Sequence, residues 1–258
     1  MTVQDVWNWL DGFAPFATQE GFDNAGLVIG APGAQVHRVL FALDATLPVV
    51  QEAAQWGAQL LVTHHPLLFG GVRAIRVDEP EGAVIAALAG QRISLIAAHT
   101  NLDRAPGGTG DALAAVLGLA DACPTQGDPY LRTGTLATPQ TASAFHQALN
   151  AALGACARRY GVADAPVQRV TVGAGAIGGE YPLAAADGAQ AYVVGEIKHH
   201  ELIGAQALGL IVYEAGHSAT ELPGIAALYQ RFATEALAHH WPVEARLTAI
   251  PPYACALA

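Results

Sequence analysis

The sequence predicts an α/β protein with mixed, largely parallel sheets, in one large domain or two small ones, and three observations carry the prediction. Short β-branched and aliphatic runs alternate with Ala- and Leu-rich segments of helical period, as parallel sheets covered by helices require. The chain has 258 residues, where roughly 150 residues make a domain. Near the middle, Ala120 to Tyr130 interrupts the alternation with Pro124, Gly127 and Pro129. This stretch is the best internal boundary, and two domains would fall at 1–123 and 124–258, with packing of the C-terminal segment back on the first as an option.

Met1 to Phe16 reads as a first helix, with Trp7 and Trp9 in an amphipathic pattern. It carries Asp5 and Asp11 and no Lys or Arg, unlike a secretion signal or transit peptide. Val36 to Leu43 is a strand, Pro48 to Gln59 a helix opened by its proline, and Leu60 to Thr63 a strand apolar enough to be buried on both faces. Glu81 to Ala89 follows as a helix, Ile93 to Ala98 as a strand, and Asp111 to Leu117 as a helix closed by Gly118. In the second half the strands are Thr133 to Ala137, Arg169 to Val172, Ala191 to Gly195 and Leu210 to Glu214. Helices are Thr141 to Leu153, His200 to Leu208 and Glu221 to Ala238, with Val243 to Ile250 as a last strand.

Composition excludes several functions. Twelve Lys and Arg against 22 Asp and Glu give a formal charge of −10, and no basic cluster stands out, so duplex nucleic acid is not the expected partner. Although 52% of the residues are apolar, polar residues, Gly and Pro break every long run, so no membrane span is read. Cys123, Cys156 and Cys255 are widely spaced with no CxxC, as in reduced thiols of a cytoplasmic protein. A chain this long needs no structural metal to fold, so any metal site would have a functional role.

Ligands of open α/β sheets gather beyond the carboxyl ends of strands, and here three strand ends are polar. Leu60-Leu61-Val62-Thr63 runs into His64-His65-Pro66. Pro66 holds His65 extended, and neighbours in extended chain leave on opposite sides, so two ions could take one imidazole each; solvated loop histidines would look the same. The second end is Ala98-His99-Thr100-Asn101-Leu102-Asp103, where Asp103 is a ligand or simply a turn residue. Asp111, just past a Gly-rich turn, reads as a first-turn helix acid. At the third, Tyr213 to Glu221, His217 and Glu221 are four apart and share one side of a helix, though Ser218 and Glu221 also spell a capping box.

Together His64, His65, Asp103, His217 and Glu221 form an imidazole and carboxylate set suited to zinc, iron or manganese, without the thiolates of a structural zinc site. Five ligands are many for one ion and about right for two divalent ions bridged by a carboxylate and a hydroxide. Gly195-Glu196-Ile197-Lys198-His199-His200 also ends a strand, and Lys198 is the only lysine in the chain. Glu196, Lys198 and His200 are expected to orient a substrate or assist proton transfer, with solvated helix-start residues as the alternative for His199 and His200. Gly173-Ala174-Gly175-Ala176-Ile177-Gly178 matches a dinucleotide fingerprint, but Gly179 and Pro182 break the helix such a site needs, so nicotinamide and flavin are not expected. His37, His146, His239 and His240 read as ordinary residues.

From Phe22-Asp23-Asn24-Ala25-Gly26-Leu27 through Thr63-His64-His65-Pro66, His99-Thr100-Asn101-Leu102-Asp103 and Gly195 to His200, to Gly216-His217 and Glu221, the sequence resembles the dinuclear-metal-centre hexameric family. These are the YbgI-type proteins, known as GTP cyclohydrolase 1 type 2 homologues. The resemblance implies the same five metal ligands, two α/β domains meeting around a dinuclear metal site, and a homohexameric toroid whose cavity the sites face. Phe22 stands where the family usually has Trp, and Ser218 where it often has an aromatic residue. The function expected is a metal-dependent hydrolase acting on a purine nucleotide, GTP by the family label, or another small substrate. The alternative is a metal-binding toroid that serves as carrier, chaperone or scaffold.

Overall fold

A computed structural model of the chain describes residues 1–161 and 164–253. Cys255, read from sequence as a reduced thiol, lies outside the described residues. In chain order the elements are α1 (Val3–Phe13), β1 (Gly26–Ile29), β2 (Arg38–Ala42), α2 (Leu47–Trp56), β3 (Leu60–Thr63), α3 (Pro80–Gln91), β4 (Ser94–Ala97), α4 (Thr100–Arg104) and α5 (Thr109–Val116). There follow β5 (Leu119–Pro124), β6 (Arg132–Thr141), α6 (Ala142–Leu153), β7 (Arg158–Tyr160), β8 (Pro166–Gly173), α7 (Tyr181–Ala186), β9 (Ala191–Val194), α8 (His199–Ala207), β10 (Ile211–Glu214), α9 (His217–Ala238) and β11 (Glu244–Leu247). No helix among the described residues is long and apolar enough to cross a membrane.

The chain forms two compact units, Met1–Ala105 with the described chain from Ile225 onward, and Pro106–Gly224. In the first, α1 starts at a capping box: Asp5 N donates to Thr2 Oγ1 and Thr2 N to Asp5 Oδ2. The sheet runs β1-β4-β3-β2-β11, parallel from β4 to β11, with β1 antiparallel to β4. This arrangement brings the ends of β2, β3 and β4 to one edge, the edge at which the chain also enters β1. Gly57, at φ 77°, ends α2 in the left-handed region, so that the chain can turn at once into β3. All four residues of β3 and of β4 are buried, as expected for strands covered on both faces.

The second sheet runs β5-β6-β8-β9-β10-β7, with β8, β9 and β10 parallel and the outer pairings antiparallel. Val170, Val172, Val193 and Tyr213 pack on one face; Tyr192, Val194 and Val212 pack on the other. Asp111 is the first-turn acid its position suggested, and it does more than cap. Its Oδ2 accepts from Gly107 N at 2.7 Å, while Arg132, 1% exposed, donates from Nε to Oδ1 at 2.6 Å and from Nη2 to Oδ2 at 3.2 Å. Arg132 Nη1 reaches the carbonyls of Pro129 and Leu131.

Several elements differ from the sequence reading. Residues 120–130, read as a linker, begin with most of β5, which pairs antiparallel with β6. β1, β7, α4 and α7 are additional, and α9 begins at His217, with Pro223 inside it. That start removes the Ser218 capping box, because Ser218 now lies within the first turn.

Candidate metal centre

The first unit assembles three imidazoles at the sheet edge. β3 ends at Thr63, whose Oγ1 donates to His65 O at 2.8 Å and fixes the turn that carries both histidines. The His64 ring is buried, with Nδ1 2.9 Å from Ala98 O. His65 Nδ1 lies 2.8 Å from Asp44 Oδ1, and His99 Nδ1 lies 2.9 Å from Asp23 Oδ1. Carbonyl and carboxylate oxygens only accept, so each Nδ1 carries a proton. The ring centroids are 4.9 to 5.5 Å apart, and donor atoms from all three lie within 4.8 Å of one another. Asp103, on α4, places Oδ1 3.6 Å from His64 Nε2.

The anchors differ in kind. Asp23 has no exposed side-chain surface, and its carboxylate also accepts from Thr100 N, Thr100 Oγ1 and Asn24 N. Burial pushes its pKa up, but the hydrogen bonds from His99, Thr100 and Asn24 outweigh burial and hold the carboxyl well below the usual range. Asp44 is partly exposed, and His64 is held by a neutral carbonyl. Histidines that bind metals typically tie their other ring nitrogen to such an acceptor.

The second unit supplies a carboxylate and imidazole pair. β10 runs through Gly216, at φ 95°, into α9. His217 Nε2 is 3.1 Å from Glu221 Oε1, and His217 Nδ1 is 3.1 Å from Glu196 Oε1. A neutral imidazole has one N–H and cannot donate to both carboxylates at once. The Gly173–Gly178 run packs against this pair. A Cβ on Gly175, at φ 66°, would strike Glu221 Oε1, and one on Gly195 would lie 2.8 Å from Thr220 Oγ1 and 2.9 Å from His217 Cα. Gly175 N donates to Thr220 Oγ1 at 3.0 Å, and Glu196 N donates to Gly175 O at 3.0 Å.

Among the residues expected to meet a substrate, only Glu196 touches a candidate ligand. Lys198 caps α8: its backbone N donates to Glu201 Oε2 at 2.9 Å, and its Nζ, on a side chain 77% exposed, pairs with Glu201 Oε1 at 3.4 Å. His200, 78% exposed, also faces Glu201, at 4.0 Å. Sequence reasoning gave no role to His99, Asp23 or Asp44. Asp44 follows β2 and was legible by the strand-end rule already applied to β3 and β4.

Imidazole and carboxylate donors of this kind fit a divalent transition ion. Asp44→Ala is expected to weaken metal affinity roughly 10- to 100-fold by releasing His65 from its orientation. Equilibrium dialysis against zinc checks this, and unchanged affinity would refute the orienting role.

Known proteins resemble this chain over most of its length. The family described as Duf34/NIF3 (NGG1p interacting factor 3) matches residues 1–251. A Clostridium perfringens protein called GTP cyclohydrolase 1 type 2 homolog is 31% identical over 230 residues, covering 86% of this chain and 88% of its own. The crystal structure of the Staphylococcus aureus hypothetical protein SA1388 superposes with a TM-score of 0.93 at 26% identity, covering 99% of each chain. That of protein ybgI, described as of unknown function, gives a TM-score of 0.87 at 26% identity over 98% of this chain and 100% of its own.

Proposed function

This chain belongs to the Duf34/NIF3 family, and from that premise we propose that it is a metal-dependent hydrolase of small substrates. Two divalent transition ions, zinc, iron or manganese, are held by His64, His65, Asp103, His217 and Glu221, with His99 as a further imidazole in the first unit. The observation that carries the reading is the set of three imidazoles, each anchored at Nδ1, with donor atoms within 4.8 Å of one another.

Ions held by these residues would supply Lewis acidity for a hydrolysis. The protein contributes orientation. Ala98 O, Asp44 and Asp23 fix the rings of the first unit, and Glu196 fixes His217. Lys198 and His200 are proposed to meet an anionic part of the substrate after leaving Glu201. A purine nucleotide is the proposed substrate, on the strength of the relatives' name. A homo-oligomer, a hexamer by family resemblance, is proposed for the assembly, and light scattering on the eluting protein measures it.

A metal carrier without turnover is the second reading, and the pairing of Lys198 and His200 with Glu201 rather than with the metal donors favours it. Elemental analysis of freshly purified protein is expected to give about two transition ions per chain. Metal-dependent hydrolysis on a panel of purine nucleotides and phosphoesters is expected to vanish in His64→Ala and Glu221→Ala while the circular dichroism spectrum persists. Metal passing to an apo-acceptor with no hydrolysis would establish the carrier. A metal-free, chelator-insensitive protein would defeat both readings.

A further inference from the structure

An aromatic side chain stands at the exposed side of the imidazole cluster. The His99 side chain is 15% exposed, and the Phe69 ring meets it edge-on, with centroids 5.7 Å apart and planes at 78°. Phe69 is itself 55% exposed. Its placement is anchored from the site: Asn24 Nδ2 donates to Leu68 O at 2.7 Å, and Asn24 follows Asp23, the anchor of His99. Phe22, also exposed, precedes Asp23. A Cβ built at Gly21, Gly70 or Gly71 would meet nothing within 4 Å.

Small-molecule sites combine apolar or aromatic walls with a few convergent polar groups. Here the convergent groups are the three imidazoles, and the wall is a benzyl ring that is 55% exposed. We propose that Phe69 is a stacking platform that takes the face of a planar nitrogen heterocycle in the substrate and holds that ring beside the imidazoles. This deepens the metal-site reading above and rests on it for the position of the reacting bond. A flat ring face gives a sugar phosphate little, whereas one base stacked on one aromatic side chain changes affinity roughly 5- to 150-fold.

The test uses the full-length, zinc-loaded protein and titration calorimetry with guanosine 5′-monophosphate and with ribose 5-phosphate, which lacks the ring. The wild type is expected to bind the nucleotide more tightly. Phe69→Ala should lose that preference, weakening nucleotide binding roughly 5- to 150-fold while sugar phosphate binding and zinc content stay unchanged. Phe69→Trp should keep it. Equal affinity for the two probes in the wild type would overturn the proposal, and so would a nucleotide affinity indifferent to Phe69→Ala. A change of assembly mass in Phe69→Ala with nucleotide binding intact would overturn it too, showing that Phe69 packs against a second copy. Binding is read without turnover, so a ring preference that depends on Phe69 stands even where no hydrolysis is found. Hydrolysis that is indifferent to Phe69 and to the ring removes the platform alone.

Discussion

Asp111→Ala is expected to lower stability by about 3 to 5 kcal/mol, the cost of stripping the partner from a buried charge. Arg132 lies 1% exposed, and its remaining acceptors would be the neutral carbonyls of Pro129 and Leu131. The reverse change is expected to cost less. In Arg132→Met the Asp111 side chain, 28% exposed, can turn to water and still accept from Gly107 N, while the methionine fills much of the vacated volume. Asp111→Asn keeps shape and acceptor but loses charge, and should fall between. Urea unfolding of the three variants checks the order, and an Arg132→Met loss equal to or larger than that of Asp111→Ala would refute the account.

Gly175→Ala is expected to damage the candidate site by displacing the Glu221 carboxylate. Two effects act in the same direction. A φ of 66° costs a residue with a Cβ roughly 1 to 2 kcal/mol, and the added carbon occupies the place of Glu221 Oε1. The carboxylate must leave His217 Nε2. Displacing a reacting or ligating group by about 1 Å typically costs on the order of 100-fold in rate, so metal-dependent turnover should fall by that order, with a parallel drop in zinc affinity. Zinc dialysis and the hydrolysis panel measure both. Full zinc affinity in a folded Gly175→Ala protein would show that Glu221 has another seat.

Local sequence was enough for elements whose burial is continuous. Leu60 to Thr63 is read with the same ends as β3, because four consecutive apolar or β-branched residues between a helix stop and two histidines have little other use. Edge strands were not legible. β7, Arg158–Tyr160, has no apolar pattern and exists because β10 offers it a partner 54 residues away. β1 has an apolar sequence but only four residues, and it is defined by its register with β4. The start of α9 at His217 was not legible, because Pro223 lies inside the helix, where a proline ordinarily breaks one.

At the candidate site, histidines beyond strand ends were readable because few residues there have a cheaper explanation. Their anchors were not. Asp23 sits 76 positions from His99 and Asp44 lies 21 from His65, and an aspartate in a turn looks the same whether it caps a helix or holds an imidazole. The Gly173–Gly178 run was readable as glycine-rich, but its reason, the approach of Glu221 and of the Glu196 backbone, lies in the tertiary structure.

The Nδ1 anchors also fix how many cations a ring can serve. An imidazole can join two metal ions only as the doubly deprotonated imidazolate, with both nitrogens bare. In His64, His65 and His99 one nitrogen is already committed to an oxygen that cannot release it without giving up its own partner. An ion bound at these rings would therefore meet a single donor nitrogen on each of them.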